Sequence, residues 1–299
     1  MKLGLVLEGG ANRGNFSNGV MDVLMRHDIW ADYLIGASAG IANGVSYASR
    51  QPGRSLSIGV DYMPTPAYSG VKHLFNPRNR SLYNIGYVFD EIPNRLLPFD
   101  YEAFARFPGP VVAVVTRLDT GAPEYLDVPR DDRKWRTLVA SCALPFLFQP
   151  VRIGDGLYMD GGITDPIPAQ RALDDGCDRV IVVTTRERDY VKGDEKALHW
   201  AARRYFRYPQ FAQALNRRAD AYNECRRHLF ELERQGRAFI IEPVDTKGFS
   251  RTEKDKDRIH ALYQQGVDVA EGRMSALREW LAKRAHPAVF CNVMQKTGL

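Results

Sequence analysis

The pentapeptide Gly36-Ala37-Ser38-Ala39-Gly40, entered from the short apolar run Tyr33-Leu34-Ile35, constrains this chain more than any other stretch. A strand that turns sharply into a helix at a serine needs glycine on its flanks, because glycine lets the backbone enter a strained turn without side-chain clashes. Such a turn stands the Ser38 hydroxyl at the carboxyl edge of a sheet, facing solvent, where a nucleophile belongs. An idle serine in a tight strand-to-helix turn carries the same signature, so the neighbouring segments have to discriminate.

The segment before it repeats the pattern. Leu3 to Leu7 is an apolar run of strand length, Glu8-Gly9-Gly10-Ala11-Asn12-Arg13-Gly14 follows as a glycine-rich loop, and Phe16, Val20, Val23 and Leu24 recur at helical spacing. Backbone N–H groups in such a loop, at the positive end of a helix dipole, form a site for negative charge, either a bound phosphate or a transient oxyanion. A dinucleotide fingerprint would need a second glycine where Ala11 stands, and no Gly-Lys-Ser/Thr of a Walker loop is present. Two successive parallel strand-helix units bring their carboxyl ends side by side. The loop donors and Ser38 are therefore expected at one edge, the geometry that acyl transfer requires.

From Gln51 to Pro108 the pattern breaks. Pro52, Pro64, Pro66, Pro77, Pro93 and Pro98 should prevent long regular elements, and the aromatics among them, such as Tyr68, Tyr83, Phe89 and Phe99, suit either a groove for an acyl chain or an ordinary core. Pro110 to Leu118 reads as a strand buried on both faces of a parallel sheet, with Glu124 to Val128 extending it. Asp132 to Ala140 looks helical. Val151 to Ile153 and Leu157 to Met159 flank Gly154-Asp155-Gly156 as a hairpin, whose second arm delivers Asp160-Gly161-Gly162. That triplet is either a further turn or an aspartate exposed at a strand end. Ala169 to Asp174 reads as a helix, and Arg179 to Thr185 as a further parallel strand.

After Thr185 the character changes. Arg203, Arg204, Arg207, Arg217, Arg218, Arg226 and Arg227 accompany an apolar helix face formed by Phe211, Leu215, Tyr222, Leu229 and Leu232. Most such charge is a solvated face; peripheral contact with an anionic membrane is the competing expectation. Ala238 to Ile241 is expected as a last strand and Arg258 to Leu281 as an amphipathic helix. The net charge of +5 comes with no nucleic-acid-binding motif, so no nucleic acid partner is expected. Without an apolar run near the roughly 20 residues that span a bilayer, and with Glu8 interrupting the opening segment too early for a signal peptide, the expected compartment is the cytoplasm. Cys142, Cys177, Cys225 and Cys291 lack metal-type or redox-type spacing and are expected as thiols, and no cofactor or metal is required.

A serine nucleophile needs a base. None of His27, His73, His199, His228, His260 and His286 sits in a strand-end motif aimed at Ser38, which leaves Asp160 as the best placed partner in a Ser-Asp dyad. The three motifs, in this order, resemble the bacterial patatin-like phospholipases. That family carries a Gly-Gly-Gly-x-Arg/Lys-Gly loop, a Gly-x-Ser-x-Gly elbow and an Asp-Gly-Gly/Ala motif, matched here by Gly9 to Gly14, Gly36 to Gly40 and Asp160 to Gly162. The stretch from Ala140 to Pro150 is similar as well, and the likeness runs from about Leu3 to Thr185. Ala11 departs from it by replacing the third glycine.

The resemblance implies a three-layer α/β/α sandwich with a mostly parallel sheet, residues 1–186 forming an acyl hydrolase domain; residues 187–299 lie outside the likeness, which gives them no role, and are expected as a mainly helical basic region packed on that domain. The likeness implies Ser38 as nucleophile, Asp160 as general base, Gly9, Gly10, Ala11 and Asn12 as the oxyanion hole, Gly14 as support for that loop, and Arg13 as either a brace for it or a contact for a lipid phosphate. Gly36, Gly40, Gly161 and Gly162 complete the elbow and the aspartate motif. The implied substrate is a phospholipid or other fatty-acyl ester. A catalytically inactive adaptor, or a protein that binds a phosphate-bearing ligand, is the alternative.

Overall fold

The computed structural model describes residues 1–77, 79–195 and 202–283; His199, His286 and Cys291 lie outside them. Its strands are β1 (Leu3–Leu7), β2 (Tyr33–Ala37), β3 (Val111–Arg117), β4 (Pro123–Asp127), β5 (Val151–Ile153), β6 (Gly156–Asp160), β7 (Arg179–Val183) and β8 (Ala238–Ile241). The helices are α1 (Gly14–Arg26), α2 (Ala39–Ala48), α3 (Arg54–Ser57), α4 (Tyr101–Ala105), α5 (Arg136–Ser141), α6 (Ala169–Asp174), α7 (Pro209–Asn216), α8 (Arg218–Arg234) and α9 (Lys256–Ala282).

The near-continuous apolar strands follow from burial on both faces, since successive side chains on a strand point to opposite sides. Leu5, Leu7, Leu34, Ala113, Ile181 and Ile241 join the core under α1, α2 and α9. Their neighbours Val6, Ile35, Val114, Val182 and Ile240 join a second core under α6 and α8. The result is a three-layer α/β/α sandwich around one eight-stranded mixed sheet. Five of its strands, in the order β3-β2-β1-β7-β8 with β8 at the edge, run parallel. β3 joins this parallel part to the antiparallel strands, because its pairings with β4 and β6 are antiparallel, in keeping with the mostly parallel sheet expected.

Those pairings fix the site. Val114 pairs with Ala37 of β2 and Tyr125 of β4, and Val115 pairs with Asp160 of β6 and Glu124 of β4. β4 therefore occupies one edge of β3, while β2 and β6 share the other, end to end. Where β2 leaves the sheet after Ala37, β6 takes over its edge, and its last residue is Asp160.

Two segments differ from the sequence reading. The helix expected over 132–140 begins only at Arg136, because Asp132 caps the preceding turn by accepting the N–H groups of Lys134 (2.9 Å) and Arg136 (2.7 Å). Within the proline-rich insertion, Tyr87–Leu96 still winds as a helix through Pro93. The coil is wide, with the Leu97 N–H reaching the Ile92 carbonyl at 2.8 Å, so it sidesteps the tight turn that a proline ring obstructs. The last strand pairs with β7, so residues beyond 186 extend the sheet as well as covering it. No helix of the described residues is long and apolar enough to cross a membrane.

Candidate active site

Ser38 sits between β2 and α2 at φ 52°, ψ −128°. That backbone region is costly for a residue bearing a β-carbon, by about 1–3 kcal/mol, and persists only where the surroundings over-determine it. Two contacts do so. The Ser38 N–H donates to Ser141 Oγ (2.9 Å), and the Ser141 hydroxyl donates to the Val114 carbonyl (2.7 Å), which ties the elbow through α5 to β3. On the other side α2 presses against the end of β1: a β-carbon at Gly40 would run into the carbonyls of Leu7 and Glu8. Gly36, at the end of β2, faces the same Leu7 carbonyl.

Asp160 is 2% exposed. Its Oδ2 accepts the Ser38 hydroxyl at 2.7 Å, and Oδ1 accepts the Gly162 N–H at 2.7 Å. Its backbone is held by the Thr116 hydroxyl on its carbonyl (2.8 Å) and by its N–H on the Ala143 carbonyl (2.9 Å). Gly161 follows where a β-carbon would strike the Val114 carbonyl. Burial pushes the Asp160 carboxyl above its usual range, opposed by the Ser38 hydroxyl, Arg218, the Gly162 N–H and Arg251.

The glycine-rich loop lies against this pair. Gly9 packs on the elbow, a built β-carbon there coming within 3.2 Å of Ser38 Cβ. Ala11 stands at φ 49°, so the position where the family motif has glycine is held in the left-handed region by an alanine. No hydrogen bond among the described residues uses the N–H of Gly10 or Ala11, whereas the Asn12 N–H is engaged by the Arg251 carbonyl at 3.3 Å. The Asn12 side chain reaches the Glu253 carbonyl (2.6 Å). Arg13 is buried, and Gly14 opens α1.

An apolar cleft of about 1020 Å³, partly open to solvent, starts at Ser38. Tyr68, Tyr83, Phe89 and Phe99 of the aromatic insertion line it with Trp135 and Phe148, while Phe75 points outward at 81% exposure. The described histidines lie elsewhere: His27 contacts Glu271 (2.7 Å), His73 the Pro66 carbonyl (3.0 Å), His228 Gln170 (2.7 Å), and His260 lies tilted beside Tyr263. Among the described residues no group of carboxylates, histidines and cysteines could hold a metal ion, and Cys142, Cys177 and Cys225 are free thiols.

Several residues at the site carry no motif. Ser141 ends a helix and falls in the Ala140 to Pro150 stretch that resembles the family, but the sequence attaches no role to it. Glu8 accepts the Thr185 N–H (2.6 Å) and the Tyr222 hydroxyl (2.7 Å), and burial pushes its carboxyl up. The arginines beyond 186 do not all form a solvated face. Arg203, Arg204, Arg207, Arg217 and Arg227 are exposed, but Arg226 is buried against the carbonyls of Glu187 (2.7 Å) and Arg188 (3.0 Å). Arg218 turns in toward the Gly162 carbonyl (3.3 Å).

These features define an α/β/α sandwich protein with a serine and a buried aspartate paired at the carboxyl edge of its sheet. Residues 5–173, more than half of the chain, match the patatin-like phospholipases. The chain belongs to the patatin-like phospholipase family, and membership supports lipid hydrolysis at the level of the family. Residues 208–282 match a domain of unknown function, DUF6363. An uncharacterized protein of Escherichia coli (strain K12), YjjU, is 28% identical over 193 residues, covering 62% of this chain and 52% of YjjU. Lysophospholipase NTE1 of Scheffersomyces stipitis is 25% identical over 197 residues, covering 62% of this chain and 12% of that protein. The matches thus span about half of the first relative and about an eighth of the second. The crystal structure of VipD from Legionella pneumophila aligns with 90% of this chain and 66% of its own at 14% identity and a TM-score of 0.41.

Proposed function

We propose that this protein is a serine-dependent lipid acyl hydrolase working through a Ser38–Asp160 dyad. The observation that carries the reading is the 2.7 Å hydrogen bond from the Ser38 hydroxyl to a buried Asp160 carboxylate, at the mouth of an apolar cleft. Ser38 Oγ attacks the ester carbonyl carbon while its proton passes to Asp160 Oδ2. The carbonyl electron pair moves to oxygen, where the uncommitted N–H groups of Gly10 and Ala11 receive the negative charge. Collapse of the intermediate breaks the ester C–O bond, and the leaving alkoxide takes the proton from Asp160. Water then attacks the acyl-serine, again giving its proton to Asp160, and the fatty acid departs as Ser38 regains its hydrogen.

The apolar cleft suits the acyl chain, and burial that raises the Asp160 carboxyl makes it a stronger base than an exposed aspartate. Asn12, whose N–H is engaged by Arg251, is left with a bracing role. Residues 1–186 supply every group acting on the ester; the region beyond frames the site. The test is covalent capture by a fluorophosphonate, read by intact mass, alongside hydrolysis of a single-chain acyl ester. Wild type should take one adduct and turn the ester over. Ser38→Ala should do neither, and Asp160→Asn should lose most turnover while remaining folded. Turnover retained by purified Ser38→Ala would sink the assignment.

A further inference from the structure

The surroundings of Ser38 fall into two unlike halves. Opposite the apolar cleft lies a second pocket of about 560 Å³, open to solvent, and Ala11, Ser38 and Leu144 line both. Arg13, Arg186, Lys192, Arg218 and Arg251 surround this second space. The last three come from the region beyond residue 186.

Asp160 and Glu8 line the pocket with these cations, Glu195 and Glu187 stand beside it, and none of them is a free counter-ion; Glu187, next to Arg186, accepts the N–H and the hydroxyl of Thr246. Asp160 is bound to Ser38, and Glu8 is sealed between Thr185 and Tyr222 with burial favouring its neutral form. Glu195 holds Lys192 (2.7 Å), Arg218 (3.1 Å) and Arg251 (3.0 Å), and although burial opposes it, these cations keep its carboxyl at about 2. The crowding is felt by the cations. Burial, with Arg186 and Arg251 nearby, lowers Arg13 to about 10, and burial, with Arg218 nearby, lowers Lys192 to about 8. Arg13 is 7% exposed, its buried Nε has no partner, and no described residue accepts a hydrogen bond from its guanidinium. Arg186 also leaves a buried Nε unpaired. Unpaired buried donors cost stability unless a ligand takes them. Several guanidinium forks converging on one space match the oxygens of a phosphate.

We propose, resting on the hydrolase reading of Ser38, that this pocket is a phosphate subsite built largely by the C-terminal region and filled by the headgroup of the substrate. The substrate is then an acyl ester of a small phosphorylated alcohol. Its chain lies in the apolar cleft, its carbonyl at Ser38, and its phosphate among Arg13, Arg186 and Arg251. The C-terminal region thereby acquires a role in choosing the ester that residues 1–186 cleave.

The test compares a short-chain monoacylglycerol phosphate with the monoacylglycerol of the same chain, two esters differing only in the phosphate. Wild type should favour the phosphate ester in kcat/KM by roughly ten- to a hundredfold, the range for hydrogen bonds to a charged group. The Arg186→Gln/Arg251→Gln double variant should bring that ratio toward one; Lys192→Gln serves as a second variant should the double one not fold. Equal kcat/KM for the two esters in wild type, or a ratio untouched by the variants, overturns the subsite and leaves the hydrolase reading standing. If wild type cleaves neither ester and Ser38 takes no probe, the hydrolase reading fails, and thermal melts with glycerol 3-phosphate decide the pocket. Stabilisation of wild type and not of the double variant upholds the phosphate site; no stabilisation overturns it. Inorganic phosphate that binds as tightly as glycerol 3-phosphate and inhibits both esters alike identifies a free anion as occupant and overturns the headgroup assignment.

Discussion

Ala11 offers the cleanest perturbation. At φ 49° it occupies a conformation that an L-residue with a β-carbon enters at a cost of roughly 1–2 kcal/mol, and that glycine enters freely. Replacing it by glycine removes that cost but gives the unfolded chain more freedom to lose, worth about 0.5–1 kcal/mol. Ala11→Gly should therefore stabilise the fold by about 0.5–1 kcal/mol. For a chain of 299 residues, unfolding entropy near 2.1 cal/mol/K per residue makes this a rise in Tm of about 1–2 °C. Ala11→Val supplies the opposite sign, because a β-branched residue tolerates a positive φ less well than alanine. The assay is reversible thermal unfolding of the three proteins in one buffer. A glycine variant that melts below wild type, or a valine variant that melts with it, would refute the claim that the loop stores strain at this residue.

Two further substitutions probe the elbow and the dyad. Ser141→Ala removes the hydroxyl between the Ser38 N–H and the Val114 carbonyl. It should cost about 1–3 kcal/mol in unfolding free energy, as for buried groups left unpaired, and lower kcat with it; unchanged melts and unchanged kcat would show that the elbow does not depend on this bridge. Asp160→Asn should raise stability in a pH-dependent way. Burial lifts the folded-state carboxyl above its ordinary value, so the wild-type contribution is present at low pH and is lost as pH rises through the folded pKa. The melting difference between variant and wild type should grow from pH 4 to pH 8, and a flat or shrinking difference would mean that burial does not dominate this carboxyl.

The central layer was legible in the sequence because its signals are local. Val111 to Val115 is apolar at every position, which only burial on both faces explains, and the elbow glycines mark where β2 gives way to α2. The order of motifs led to Ser38 and Asp160. It could not say why they meet, since that depends on β6 continuing the edge that β2 vacates, a pairing 122 residues apart in sequence. Hydrophobic periodicity found the inner faces of α8 and α9 through Tyr222, Leu229, Leu232, Ile259 and Leu277, all buried. It is blind to which arginines turn inward. Arg217 and Arg218 are neighbours of identical chemistry, one exposed and one reaching the Gly162 carbonyl, and only the crossing of α8 over the site separates them.

Several costly features lie where the chemistry is proposed to occur. Ala11 and Ser38 both hold positive φ, Asp160 and Glu8 are carboxyls taken out of water, and Arg13 keeps a buried donor unpaired. Each is unfavourable in the resting fold, and a sheet buried on both faces is rigid enough to hold them. A chain selected for stability alone would relax them one by one, with glycine at position 11, asparagine at 160 and an acid opposite Arg13. On the proposed reading these features serve a ligand bearing negative charge, an oxyanion at the loop and a phosphate beside it. The same logic predicts that such a ligand raises the melting temperature of wild type more than that of a variant with an acid opposite Arg13, because the acid takes up the donor that the ligand would otherwise satisfy.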